Sequence, residues 1–591
     1  MKPGDTNLRW SQQVVRSLVD AGVRHLVISP GSRSTPLVLA ALQCEDLRLH
    51  VIPDERSAAF FALGLGRAGA APAAVLATSG SAPAHWYPAV IEAASAHWPL
   101  LLLSADRPPE LHACGANQAV DQTRLFGTFA RGFFSMDVHD GNDVLLNSAA
   151  SITAQAVDLS RWPLPGPVHI NLSFREPLLP ESGLTAPLPA REARNDENRI
   201  RQTFPDTAVQ IDYPQCIPTA VQVQRLAEQL SGRPGIMVAG ATPFSRDEAR
   251  ALYQLSEKLD CPLLADPLSG LRFETGDATQ LVCRYDTFLR DGVFSAAHAP
   301  EWVLQLGATP VSKTLQNYLD EHAQISLPIR VSPVGDWPDP ARSSRRILHV
   351  DTLPLLQALN DSPLQAAQPE WSGAFRQAEQ RVDRLFRKSS SLPLEANILA
   401  QLIRQAPAGS RLFAGNSMVI RDCDSFLGHY RKALTLHANR GASGIDGNVS
   451  TVLGMAAADE HTAIGVLGDL ALYHDMNSLL AARNVKVILV VFNNGGGAIF
   501  SYLPQSELAQ FEDYWLTDTG LDMAAIAALY RLAFHQVTAV DDFEQAFSAA
   551  LVAPGSSLIE IVIDRQDSVA RHQTFWSHQQ EQPSAGCKSL P

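Results

Sequence analysis

Short apolar runs alternate with helical stretches along nearly the whole chain, and this alternation restricts the fold more than any single motif does. In the first block the runs fall at His25–Ser29, Leu49–Pro53, Ala74–Thr78, Leu100–Ser104 and Val168–Leu172. Such runs read as strands buried on both faces, and strands separated by helices build a parallel sheet. A second block repeats the pattern at Gly235–Ala239, Pro262–Ala265, Trp302–Leu306 and Ile347–Val350. A third, entered through an amphipathic helix around Ala374–Phe386, has runs at Ala463–Leu467, Val487–Phe492 and Ser557–Val562. The expected architecture is therefore α/β, with three consecutive domains of mainly parallel sheet. Residues 1–182, 216–365 and 366–570 form the domains, joined by a Pro-, Arg-, Asn- and Asp-rich linker over 183–215 and followed by a polar, loosely held tail over 571–591. With 591 residues the chain is too long for one hydrophobic core, which agrees with that count. Three blocks of similar size suggest a duplicated ancestor.

Charge and cysteine usage exclude several classes. A formal charge of −14 leaves no basic footprint for nucleic acid, although a local arginine cluster can still attract small anions. The seven cysteines are scattered without CxxC spacing, so neither a disulfide framework nor a zinc site is indicated. The start lacks a basic segment followed by an apolar run, and no stretch nears 18 uninterrupted apolar residues, which predicts a cytoplasmic protein.

Two strand tips carry chemistry. Gly465–Asn477 (GVLGDLALYHDMN) places Asp469 where an apolar strand ends, and Phe492–Gly497 (FNNGGG) ends the next one. In a parallel α/β sheet, ligands bind at the carboxyl ends of strands, where loops lead into helix N-termini. A carboxylate, a side-chain amide oxygen and a backbone carbonyl from the glycine run form a hard oxygen set suited to Mg²⁺ together with phosphate oxygens. The glycines let backbone approach a phosphate. In Asp54–Gly66 (DERSAAFFALGLG), Glu55 stands at a strand tip before an apolar helix, in surroundings expected to be dry, where a protonated carboxyl is favoured. A helix N-terminal acidic residue placed by the dipole is the plain alternative. Val27–Leu37 (VISPGSRSTPL) holds Arg33 at a third tip.

A glutamate in the first block with a GD…NN motif in the last resembles the thiamine-diphosphate-dependent enzymes of the pyruvate-decarboxylase and acetolactate-synthase type, in the order pyrimidine domain, middle domain, diphosphate domain. More narrowly, SPGSRSTPL, DERSAAFFALGLGRA, SADRPPEL, CGANQAVDQ, GNSMVIRD, NRGASGIDG and FNNGGGAIFSYLP are similar to the branch of menaquinone biosynthesis that condenses 2-oxoglutarate with isochorismate. That resemblance implies a transferase using thiamine diphosphate and Mg²⁺ or Mn²⁺, working as a homodimer or dimer of dimers. One subunit would supply the glutamate and its partner the diphosphate motif. Neither nucleic acid nor membrane is an implied partner.

It also implies roles. Glu55 would drive the cofactor aminopyrimidine into its imino form. Asp469, Asn494 and the Gly496 carbonyl would hold the metal, with Gly468 and Leu470 completing the diphosphate motif. Leu470 replaces the superfamily's usual glycine, and Asn493 stays open as the alternative amide ligand. The substrates bring four carboxylates, one of which leaves as CO₂, and forked cationic donors suit them. Arg33, Arg107, Arg421, Arg440 and Lys313 stand in the matched motifs, with Thr314 where a second basic residue is common. Ser32, Asn117, Gln118 and Ser417 would orient substrate. Ile445 and Phe500 would flank the cofactor, Ile445 as the prop of its bent conformation and Arg440 beside it. The histidines show no ligand spacing and read as structural or surface groups. The middle block has no GxGxxG fingerprint, although composition alone does not dismiss FAD there.

Overall fold

The computed structural model describes residues 2–69, 71–181, 209–273, 276, 278–389 and 391–577. Most of the expected 183–215 linker and the end of the expected tail lie outside the described residues. Three six-stranded sheets are present among the described residues.

The first contains β1 (His25–Ile28), β2 (Arg48–Val51), β3 (Ala73–Ala77), β4 (Leu100–Asp106), β5 (Gly132–Asp137) and β6 (Pro167–Ser173), in the order β2-β1-β3-β4-β6-β5 with every pair parallel. The second contains β7 (Gly235–Ala239), β8 (Leu263–Ala265), β9 (Leu281–Val282), β10 (Trp302–Leu306), β11 (Leu327–Val331) and β12 (Arg346–Leu348). It is also parallel throughout, in the order β12-β11-β10-β7-β8-β9. The third contains β13 (Arg411–Ala414), β14 (Thr435–His437), β15 (Ala463–Gly468), β16 (Val487–Asn493), β17 (Ala533–Val537) and β18 (Ser557–Val562), in the order β14-β13-β15-β16-β18-β17.

The first and third sheets share one strand order, whereas the middle sheet has the doubly wound order of dinucleotide-binding folds read from its other edge. A common origin by duplication therefore fits the outer pair better than all three. In both outer sheets the order reverses between the first and third strands, so a crevice opens at the carboxyl ends of β1 and β3, and of β13 and β15.

The chain divides into two compact units. One holds Met1–Tyr213, Asn439–Ala463 and Ala471–Val487; the other holds Pro214–Ala438, Ile464–Leu470 and Ile488–Pro591. In the first unit, helix Glu55–Gly69 is buried from Ser57 to Arg67 and packs on helix Asn448–Ala458. The approach is so close that a Cβ on Gly64 would lie 2.1 Å from the Thr451 carbonyl oxygen, and one on Gly454 2.1 Å from that of Phe61. Only glycine at both positions permits this reciprocal seat.

In the second unit, helix Pro369–Lys388 opens on a proline at its first turn and turns Phe375, Ala378 and Val382 inward. Its bounds exceed the expected Ala374–Phe386 at both ends. Of the tail expected over 571–591, residues 571–577 belong to helix Arg565–Ser577, with His572 and Phe575 buried, and the rest lies outside the described residues. Two of the helix's buried polar side chains find partners within this unit: His572 Nε2 lies 3.1 Å from Asp422 Oδ1, and the Ser568 hydroxyl donates to Glu395.

Candidate active site

In the first unit, a cavity of about 270 Å³ opens at the crevice of the first sheet. Ser32 lines it from the turn after β1, Glu55 from the helix start after β2, and Thr78, Ser79, Ser81 and His85 from the segment after β3; Gln118 completes the wall. Gly31 lets two of these turns meet, since a Cβ there would stand 2.4 Å from Thr78 Cβ. Glu55 is half-buried and its carboxylate takes no hydrogen bond among the described residues. The dry setting expected for it is thus corrected to an open cavity wall within this unit.

Arg107 donates to the Ser79 hydroxyl and, at 3.5 Å, to Gln118 Oε1, so it stands directly behind two cavity residues. Burial, and then the adjacent Arg33 guanidinium, hold Arg107 below the ordinary arginine range. Arg33 itself is 6% exposed and tied to Glu176 Oε1 at 2.9 Å and the Phe174 carbonyl at 3.0 Å. Two neighbouring guanidiniums, of which only Arg33 makes an ion pair with a carboxylate among the described residues, make this wall attractive to an anion. Asn117 lies on the same exposed loop as Gln118, whose φ is +53°.

Residues not singled out from the sequence hold the wall in place. Gln122 accepts the Gly80 N–H at 3.0 Å and donates to Asn171 Oδ1 at 2.7 Å, while Asn171 donates to the buried Asp106 at 2.8 Å. Gln122 closes the CGANQAVDQ stretch, so its motif was visible but not its position. His85, read like the other histidines as a structural or surface group, is exposed and lines the cavity.

The turn that carries Glu55 is held by the GVLGDLALYHDMN stretch. Arg56 donates to the His474 carbonyl at 2.8 Å, and the Ser57 hydroxyl lies 3.5 Å from Asp475 Oδ1. Asp475 is fully buried and accepts the Ser450 N–H at 2.6 Å and its hydroxyl at 2.9 Å. Burial pushes its carboxyl up to about 7. A carboxyl raised by folding stabilises the protein while protonated: the contribution is complete below the usual range of about 4 and is lost as pH rises through about 7. Melting temperature should accordingly fall between about pH 4 and 7 and level off above that, with a shallower fall in Asp475→Asn. Identical slopes in the two proteins would remove Asp475 as the cause.

In the first unit also, Arg440 and Ile445 lie half-buried on the loop before helix Asn448–Ala458.

The second unit gathers the diphosphate motif at the crevice of the third sheet. Asp469 follows β15 directly and is 6% exposed; its Oδ2 accepts the Gly496 N–H at 2.8 Å, and its Oδ1 accepts that of Leu470 at 2.9 Å. Gly495, Gly496 and Gly497 all have positive φ, and a Cβ on Gly496 would lie 2.3 Å from the Thr517 carbonyl oxygen. The Asn493 amide donates to Glu560 Oε1 at 2.6 Å, whereas the Asn494 side chain has no hydrogen bond among the described residues.

Burial raises the Asp469 carboxyl above its ordinary range, and no cation pairs with it among the described residues. A buried carboxylate beside an unengaged amide oxygen is a donor set that a hard divalent cation would satisfy. Ser417 (φ +69°) forms the strained turn between β13 and helix Met418–Phe426, and Arg421 donates to its carbonyl at 2.5 Å. Phe500 follows the glycine run, Gly468 ends β15, and Lys313 stands exposed at the start of helix Lys313–His322 with Thr314 half-buried beside it.

Comparison with known proteins defines the class. The N-terminal thiamine pyrophosphate-binding domain model matches residues 8–125, the middle domain model 206–414 and the C-terminal thiamine pyrophosphate-binding domain model 423–561. Three relatives are each named 2-succinyl-5-enolpyruvyl-6-hydroxy-3-cyclohexene-1-carboxylate synthase. That of Dechloromonas aromatica is 39% identical over 94% of this chain and 99% of its own. That of Chloroflexus aurantiacus is 41% identical over 96% and 95%, and that of Listeria welshimeri 36% over 98% and 97%. The chain belongs to this synthase family of thiamine-diphosphate-dependent enzymes.

Proposed function

We propose that the protein decarboxylates 2-oxoglutarate and adds the four-carbon remainder to isochorismate, giving the product for which its relatives are named, in menaquinone biosynthesis. The observation that carries this is the cavity wall of Glu55, Ser32 and Gln118 backed by Arg107, in a chain matching synthases over nearly its full length. Thiamine diphosphate, when bound, supplies the acidic carbon on which the oxo acid loses CO₂ and becomes a nucleophile. Glu55 holds a proton against the cofactor's aminopyrimidine. Asp469, Asn494 and the Gly496 carbonyl hold Mg²⁺ or Mn²⁺; the Asn494 side chain has no hydrogen bond among the described residues, while Asn493, whose amide nitrogen donates to Glu560, keeps its oxygen as the alternative ligand.

Ser32, Asn117, Gln118 and Ser417 orient substrate, and Arg33, Arg107, Arg421, Arg440 and Lys313 meet its carboxylates. Ile445 and Phe500 pack on the cofactor. In this reading the site is completed between subunits of a cytoplasmic homodimer or dimer of dimers. Among the described residues no helix is long and apolar enough to cross a membrane.

The test is the loss of isochorismate absorbance in the presence of protein, thiamine diphosphate, Mg²⁺ and 2-oxoglutarate, omitting each in turn. Loss that needs all four supports the reading. Persistence of isochorismate while 2-oxoglutarate still yields CO₂ would redirect it to another thiamine-dependent carboligase. Asp469→Ala should weaken cofactor binding in calorimetry by at least roughly 10–100-fold, the loss usual even for outer partners of a metal. Unchanged affinity would remove Asp469 from the metal set.

A further inference from the structure

Glu92 lies in helix Tyr87–Ser95, outside every motif discussed so far, and is 2% exposed. Its Oε1 accepts from Arg67 Nη2 at 3.0 Å and from the Gly441 N–H at 3.0 Å, and its Oε2 accepts the Ala442 N–H at 2.7 Å. Both ends of this ion pair are buried. A buried carboxylate costs folding free energy unless paired and fully hydrogen-bonded, and Glu92 is both. What it holds is the loop Asn439–Gly447, on which Arg440 and Ile445 lie.

The same loop is pinned at its other end. There a Cβ on Gly447 (φ +64°) would lie 2.2 Å from the Phe60 ring, while at the loop's start the Asn439 amide donates to Thr451 Oγ1 at 3.0 Å. At the near end the contact is equally close, since a Cβ on Gly441 would stand 2.6 Å from the Glu92 carbonyl oxygen. Phe60 and Arg67 both belong to the helix that begins at Glu55. One rigid element therefore carries Glu55 at its start and, through Arg67 and Glu92, fixes the loop of Arg440 and Ile445. All of these residues lie within the first unit.

We propose that Glu92, with Arg67, is a positioning residue for the reaction: it holds the loop that carries Arg440 and Ile445 in place and touches neither substrate nor cofactor. The inference rests on the proposed roles of Arg440 and Ile445. Paired backbone N–H groups on one carboxylate fix both the position and the tilt of a loop, which a single hydrogen bond does not. Supporting residues of this kind keep a constellation within the fraction of an ångström that turnover needs.

Glu92→Gln keeps the side chain's size but leaves one oxygen for three donors. Two readouts are compared with wild type: thiamine diphosphate affinity by calorimetry with Mg²⁺, and KM and kcat for isochorismate consumption. The expected result is at least tenfold weaker cofactor binding and at least tenfold higher KM for isochorismate, with unchanged far-ultraviolet circular dichroism. A lowered melting temperature with affinity and KM both within twofold of wild type would overturn the proposal and leave Glu92 a stability residue. Should Glu92→Gln fail to fold, Gly441→Ala carries the same test, because it displaces the loop while leaving the Arg67–Glu92 pair intact. Wild-type protein that binds the cofactor yet never consumes isochorismate would instead defeat the functional reading. The calorimetric arm still decides the role of Glu92 in that case.

Discussion

Glu55→Gln should fold and melt like the wild type, within about 0.5 kcal/mol, while its rate of isochorismate consumption falls by roughly 10²–10⁴. The first half of the expectation follows from the structure: the Glu55 carboxylate lines the cavity and takes no hydrogen bond among the described residues, so the fold has no stake in its charge. The second half follows from chemistry. Glutamine fills the same space and still accepts and donates hydrogen bonds, but its amide cannot give up a proton to an aminopyrimidine as a carboxyl group can. Stopped-assay kinetics beside a thermal melt would decide the matter. A variant retaining more than a tenth of wild-type activity would mean that another group handles the proton, and His85 across the same cavity is the residue to examine next.

Asp424→Ala should be the most damaging single change to stability in the second unit, at about 3–5 kcal/mol. Arg272 is wholly buried and spends every nitrogen: Nη2 on Asp424 Oδ1 at 2.6 Å and the Tyr285 hydroxyl at 3.2 Å, Nε on the Ala265 carbonyl at 2.8 Å, and Nη1 on the Asp424 and Leu427 carbonyls at 3.0 and 2.7 Å. Removing the carboxylate strands a guanidinium where water does not reach. Arg272→Met combined with Asp424→Leu should recover much of the loss, because no uncompensated charge remains. Urea midpoints of the three proteins measure this. A cost under 1 kcal/mol for Asp424→Ala would show that neighbouring groups neutralise the arginine without it.

Strands with apolar residues on both faces, such as β4 and β16, are legible in the sequence because periodicity has nothing to compete with. The exposed edge strand β2 is found as well, while the short buried β13 and several others are overlooked. β5 and β17 are edge strands of mixed exposure, and their polar residues hide the pattern. β11 carries Pro328 in mid-strand, a residue that argues against strand, yet it pairs on both sides. The helix Arg565–Ser577 looks solvated because two of its three buried residues, Ser568 and His572, are polar and find partners far along the chain, in Glu395 and Asp422.

The site divides in the same way. Asp469 and the glycine run stand at strand tips and are visible as such, and Glu55 follows from the turn after β2. The supporting groups Gln122, Asp475 and Glu92 act through contacts as distant in sequence as Glu92 and Gly441, which no local spacing encodes.

The interleaved chain path has a consequence for biosynthesis. Helix Glu55–Gly69 finds its closest packing partner in Asn448–Ala458, so its glycine-lined face stays uncovered while everything from Tyr213 to Asn439 is translated. At ordinary elongation rates that delay is roughly 10–45 s. During it, an apolar helix surface built for one seat is presented to the ribosome's surroundings, and holdase chaperones rather than the chain's own sheet must guard it. Slowing translation in the middle third of the message should therefore raise aggregation more than slowing it in the last third.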